Sequence, residues 1–158
     1  MLMVLSLFAC IGAGLIGGVF FAFSNFVMKA LAGAAAHQGV AAMQRINVLV
    51  LNPLFLGAFL GTALLGLACV TIAAFAWTTP KSFLLVGSGL TYVIGSFGVT
   101  MGFNVPRNER LARLKPDSPE AATYWPVYVR EWLFWNHVRT VASLASAALA
   151  AIALKVSD

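Results

Sequence analysis

The sequence predicts an all-α integral membrane protein, a four-helix bundle, and three observations carry that prediction. Hydrophobic residues make up 61% of the 158-residue chain and charged residues only 9%, a balance far from that of soluble globular domains. Nearly charge-free stretches recur at 1–28, 46–80, 82–106 and 132–154, each long enough for the roughly 20 residues that cross a bilayer as a helix. These runs are continuously apolar and rich in Ala and Leu rather than alternating, which excludes a spanning sheet. One domain over residues 1–158 is expected, with spans at about 3–31, 46–77, 82–105 and 127–154 and a connection over 106–126.

The first span carries Gly12, Gly14, Gly17 and Gly18. Gly14 to Gly18, Gly57 to Gly61 and Gly98 to Gly102 have the small-xxx-small spacing that lets helix backbones approach in lipid, so packing is their expected role. The same faces are compatible with a homo-oligomer. Ala34-Ala35-Ala36 resembles a cleavage site, yet the apolar run before it is too long and lacks a basic leader, so a retained helix is expected rather than a signal peptide. The second run exceeds a perpendicular span. It is expected to tilt, kink at Asn52-Pro53 or begin outside the hydrocarbon.

Pro80 marks a short turn between spans two and three, at Thr78-Thr79-Pro80-Lys81. In the third connection, Arg107 to Lys115 alternates basic and apolar residues like a surface helix, and Ser118-Pro119-Glu120 reads as an N-cap and first turn. Pro126 is placed to bend that segment into span four. Cys10 and Cys69 lie within spans without the paired spacing of a zinc or dithiol motif, and buried apolar roles are expected for both.

The net charge of +5 is distributed asymmetrically. Lys29, Arg45, Arg107, Arg110, Arg113, Lys115 and Arg130 flank the first and third connections, against Lys81 and Lys155 on the other side. Basic loops stay in the cytoplasm, so connections one and three are expected there and both termini opposite, in a bacterial inner membrane. The charge needs no nucleic acid to explain it, and none is expected as a partner.

Alternating span direction brings the end of span one, the start of two, the end of three and the start of four to one side. Intramembrane polar residues collect at those ends: Ser24 and Asn25; Gln44, Asn47 and Asn52; Thr100, Asn104 and Asn108; Asn136, His137, Arg139 and Thr140. Trp132, Asn136, Arg139 and Ser143 follow i, i+4, i+7, i+11, one face of span four, and Tyr92, Ser96, Thr100 and Asn104 form a matching stripe on span three. A pocket lined by Trp132, Trp135, Phe21, Met28 and Phe103, opening to the cytoplasmic leaflet, is the expectation. Arg139 is the only formal charge between Glu131 and Lys155. It is either a buried site residue or a side chain snorkelling to lipid phosphates. The tryptophans equally fit an interfacial belt, the asparagines helix-to-helix glue, and His137 a structural role.

With two histidines, His37 and His137, and Glu131 the nearest carboxylate at the membrane edge, the ligands for a metal or a bis-histidine haem are sparse. No metal site and no cofactor are expected. A haem- or metal-dependent redox protein remains an alternative reading.

The segments 14–31 (GLIGGVFFAFSNFVMKAL), Met43-Gln44-Arg45-Ile46-Asn47, Asn52-Pro53-Leu54-Phe55, Asn104-Val105-Pro106-Arg107-Asn108 with Leu111, and 132–140 resemble the anthrone oxygenase-like family of small membrane proteins. The resemblance implies an oxidoreductase that converts an anthrone, a flat apolar weakly acidic ketone, to a quinone with O2. Within it, His137 is the expected base and Arg139 the oxyanion stabiliser. Asn25, Asn47, Asn104, Asn108, Trp132, Trp135 and Asn136 are the expected substrate contacts. The competing class is a non-catalytic membrane module binding a lipid, quinone or other hydrophobic molecule. A transporter is disfavoured because the polar groups occupy one leaflet and no inverted repeat is present.

Overall fold

A computed structural model describes residues 2–75 and 80–156, and these are helical apart from short connections. The first rod consists of α1 (Leu2–Ala22), a π-helical turn (Phe23–Val27) and α2 (Met28–Gly33). A separate helix α3 (Ala36–Leu49) folds back, and α4 (Pro53–Phe75) forms the second rod. The third rod runs through α5 (Pro80–Tyr92), two π-helical segments (Val93–Gly98 and Thr100–Asn104) and α6 (Val105–Ala112). The fourth is α7 (Pro119–Lys155). Helices over Met3–Gly33, Pro53–Ile72, Pro80–Ala112 and Pro119–Lys155 are long and apolar enough to cross a membrane.

The second run of the sequence divides where Asn52 stands. Its carboxamide accepts from Phe55 N at 3.0 Å as the N-cap of α4 and donates to Leu49 O at 2.9 Å at the end of α3. Residues 46–49 therefore belong to α3, and the spanning helix begins at Pro53, not at 46. Ser118 caps α7 as its position predicts, its hydroxyl accepting from Ala121 N at 3.2 Å. Pro126 lies inside α7 without interrupting it. The basic segment after Asn104 continues the third rod as α6, so the polar connection is shorter than 106–126.

Around the bundle, α1 lies between α7 and α4, and α5 lies between α4 and α7. Three packed layers follow along the axis. The layer nearest the chain termini joins Ala9, Cys69, Leu85, Ala150 and Ala153. Small residues allow this end to close: Gly66 and Gly89 bring α4 and α5 together, and Gly12 and Gly17 face Thr62 and Leu144. The paired glycines Gly57/Gly61 do not share that role, since a Cβ on either would meet nothing within 4 Å. Cys10 and Cys69 are both free thiols.

The middle layer contains Ala13, Ile16, Phe20, Phe59, Ala63 and Tyr92, and the far layer Met28, Met43, Leu111, Trp125, Tyr128 and Trp132 among others. A ladder of hydroxyl bonds joins the third rod to α7: Ser88 to Ser146 O at 2.9 Å, Ser143 to Ser96 Oγ at 2.9 Å, and Arg139 Nη1 to Thr100 Oγ1 at 3.3 Å. Interhelical bonds of this kind substitute in lipid for the hydrophobic driving force that water would supply. The π-helical turns fall at the level between the middle and far layers. Such widened turns often accompany functional sites.

Candidate functional site

Arg139 is only 6% exposed, so it does not snorkel to the lipid phosphates. Its helix turns it toward α1 and the third rod, where Nε donates to Asn136 Oδ1 at 2.9 Å and Nη1 to Thr100 Oγ1 at 3.3 Å. The guanidinium lies over two rings, 4.0 Å from the centroid of Phe20 and 4.8 Å from that of Trp132. Such cation–π contacts are worth about 2 kcal/mol when desolvated. Among the described residues no carboxylate forms an ion pair with it, and Glu131 pairs instead with Arg107 at 3.0 Å. The cation is thus solvated by amide, hydroxyl and ring faces, without a counter-ion.

Asn136 is the hub behind it. Fully buried, it donates from Nδ2 to Phe20 O at 2.8 Å and to Ser24 Oγ at 2.7 Å while accepting from Arg139. Ser24 sits in the π-helical turn of the first rod. Its hydroxyl also meets His137 Nδ1 at 2.9 Å and Thr140 Oγ1 at 3.1 Å.

In front of Arg139 lies a cavity of about 410 Å³, within the range of small-molecule sites. Its walls are Phe20, Phe23, Phe55, Phe59 and Trp132, and its polar lining includes Arg139, Asn47, Thr100, Asn108 and Glu109. Two of the lining groups carry buried N–H donors with no hydrogen-bond partner, Asn47 Nδ2 and Trp132 Nε1. An unpaired buried donor costs about 1–3 kcal/mol.

The sequence-predicted residues divide by helix face. Arg139, Trp132, Asn47 and Asn108 line the cavity, and Asn136 holds Arg139 from behind. Asn104 is buried and donates to Trp132 O at 3.2 Å, so it supports the wall rather than forming it. Asn108 accepts from Tyr128 OH at 2.9 Å. His137 and Asn25 lie instead on the outer face, in a separate shallow groove with Phe21 and Thr140. His137 is therefore not in position to touch a ligand beside Arg139. Trp135 also departs from the expected wall, since it stacks on Phe103 with centroids 3.6 Å apart away from the cavity. Met28 is packed fully in the far layer. For His137 the reason is angular: it stands two residues from Arg139, about 200° around the helix, since each residue turns it by about 100°.

Several lining residues had no distinguishing signal. Phe20 and Phe23, and Phe55 and Phe59, are helical neighbours that read from sequence as ordinary lipid-facing or core phenylalanines. Glu109 reads as part of a basic surface helix, yet it reaches the cavity from α6. Gln44 closes the end of that helix onto α3, donating from Nε2 to Leu111 O at 2.8 Å and Leu114 O at 2.9 Å. Among the described residues no three His, Cys, Asp or Glu side chains gather as a metal site would require.

Comparison with curated proteins and with solved structures yields no match. A family model described as anthrone oxygenase matches residues 53–149, more than half of the chain. The matched segment contains α4, the third rod and most of α7, and with them Thr100, Glu109, Trp132, Asn136 and Arg139. By this match the chain, a four-span helical membrane bundle, belongs to the anthrone oxygenase family of oxygenase-like proteins.

Proposed function

We propose that the protein oxidises a flat, hydrophobic aromatic ketone of the anthrone type to a quinone, binding it in the Arg139 cavity. The observation that carries this reading is Arg139 itself, a buried cation without a carboxylate partner facing an aromatic-walled cavity. A charge so placed is costly until a polar or anionic acceptor reaches it. The enolate oxygen of a deprotonated ketone is such an acceptor. The rings would lie against Phe20, Phe55 and Phe59.

Loss of a proton from the benzylic CH2 opposite the carbonyl leaves an electron pair delocalised onto the ketone oxygen, where Arg139 stabilises it. That anion passes one electron to O2, and the resulting radical and superoxide combine to form a C–O bond. Protonation gives a hydroperoxide. Breaking its O–O bond with loss of the second benzylic hydrogen releases water and leaves the new carbonyl. One CH2 and one O2 thus become one C=O and one H2O, with no resident cofactor. In this reading Glu109 accepts the first proton, directly or through one water, because it is the carboxylate lining the cavity. His137 acts from outside, through Ser24 and Asn136.

Oxygen uptake by the purified protein in lipid vesicles with added anthrone tests the reading. One O2 should be consumed per quinone formed, above the rate in protein-free vesicles, and Arg139→Ala should abolish the excess. If there is no excess turnover but anthraquinone still quenches tryptophan fluorescence in an Arg139-dependent way, the protein is a binding module instead. In the same proposal the cavity belongs to the cytoplasmic leaflet of a bacterial inner membrane, a reading that the basic connections support.

A further inference from the structure

The second and third rods meet at one end of the bundle and part at the other. Near the termini-side layer, Gly66 and Gly89 bring the backbones of α4 and α5 into contact. Further along, Phe59 packs in tilted geometry against Tyr92 and Phe97, at 6.3 and 5.7 Å between centroids. Beyond Phe59 the two rods separate, and no Cα of α4 comes within 8 Å of the π-helical segment Thr100–Asn104 or of α6. At the far end α3 bridges the gap, clasped onto α6 by the two Gln44 hydrogen bonds. The result is a window in the side of the bundle, closed at one end by Phe59 and Phe97 and at the other by α3.

The window leads into the Arg139 cavity. Val48, Leu51, Leu60 and Met101 line that cavity and are also exposed on the outside, at 71%, 65%, 43% and 51%. Leu60 and Met101 stand within the helices Pro53–Ile72 and Pro80–Ala112, both long and apolar enough to cross a membrane. The exposed rim is aliphatic, whereas Arg139, Thr100 and the free N–H of Trp132 lie inside. An apolar opening onto a buried cation selects a molecule that dissolves in the bilayer and carries an oxygen acceptor at one end.

We infer that this window, between Leu60 of α4 and Met101 of the third rod, is the passage through which an aromatic ligand moves laterally between the bilayer and Arg139. The inference rests on the reading of the cavity as the site of a hydrophobic aromatic ketone. It adds that the ligand enters and leaves from the lipid phase, so that its membrane partitioning sets the concentration the site experiences.

Stopped-flow quenching of tryptophan fluorescence by anthraquinone, with full-length protein in phosphatidylcholine vesicles, tests the passage. The double variant Leu60→Phe/Met101→Phe narrows the window, and Val48→Phe/Leu51→Phe narrows it from the other rim, guarding against one pair failing to fold. Association and dissociation should both slow by about tenfold, as an added barrier of ~1.4 kcal/mol would give. Unchanged rates in a folded double variant would overturn the inference, and would also be expected if a lipid acyl chain or a second copy of the chain merely fills the window. Absence of quenching in the wild-type protein would instead remove the underlying ligand reading, a result distinguishable from the first because it appears before any substitution.

Discussion

Arg139 donates from Nε to Oδ1 of Asn136 across 2.9 Å, joining a cation and an amide one helical turn apart into a single unit. The amide of Asn136 is bound to Phe20 O and Ser24 Oγ on the first rod, and Arg139 reaches Thr100 on the third. One turn of α7 thereby fastens two neighbouring rods and presents the rest of the guanidinium to the cavity.

Replacement of Arg139 separates its functional from its structural contribution. Arg139→Met keeps volume but removes the charge, and activity with an anthrone should fall by about 10²–10³-fold, the cost of a lost oxyanion donor. Stability should hold or rise, because an isosteric apolar residue removes the desolvation cost of a buried charge. Arg139→Lys should recover little activity, since one ammonium cannot keep the Asn136 and Thr100 bonds in the geometry of the guanidinium fork. Oxygen uptake and thermal melting in detergent check both halves.

Asn136→Leu has the opposite signature. It removes the acceptor of Arg139 Nε and the donor to Phe20 and Ser24, so the protein should lose about 2–3 kcal/mol, the scale of a hydrogen bond to a charged group. Adding Arg139→Met to that variant should restore part of the loss. Additive melting shifts in the double variant would show that the two residues are not coupled.

The assignment of the proton acceptor yields an ordering. Glu109→Gln should lower kcat by about 10²-fold as an isosteric loss of a base. His137→Ala, on the outer face, should lower it by less than about tenfold, because it acts only through Ser24. A larger effect at His137 than at Glu109 would reverse the roles.

Two glycines on α4 and α5 should respond differently to a methyl group. A Cβ on Gly89 would strike the carbonyl oxygen of Gly66 and approach Val70 Cγ2 to 2.8 Å, so Gly89→Ala should destabilise by about 1–3 kcal/mol. Gly61→Ala meets no atom within 4 Å and should leave melting unchanged or raise it by about 0.5–1 kcal/mol through helix propensity. Equal effects would contradict the close packing of α4 on α5.

The four-span helical class, the cap at Ser118 and the polar stripe Trp132, Asn136, Arg139 and Ser143 are legible in the amino-acid order, because length, hydropathy and helical spacing are local properties of the chain. Which neighbouring polar residue faces the cavity depends on how the rods pack. Arg139 and His137 are two positions apart on one helix, yet one is enclosed between rods and the other lies in an outer groove. In water an apolar face would have marked the inward side of each helix. In lipid both faces of a span are apolar, so the periodic contrast that distinguishes inside from outside is largely lost. The packing of α1 against α7, the divergence of α4 from the third rod and the reach of Glu109 into the cavity arise from contacts between distant segments, and no local pattern encodes them.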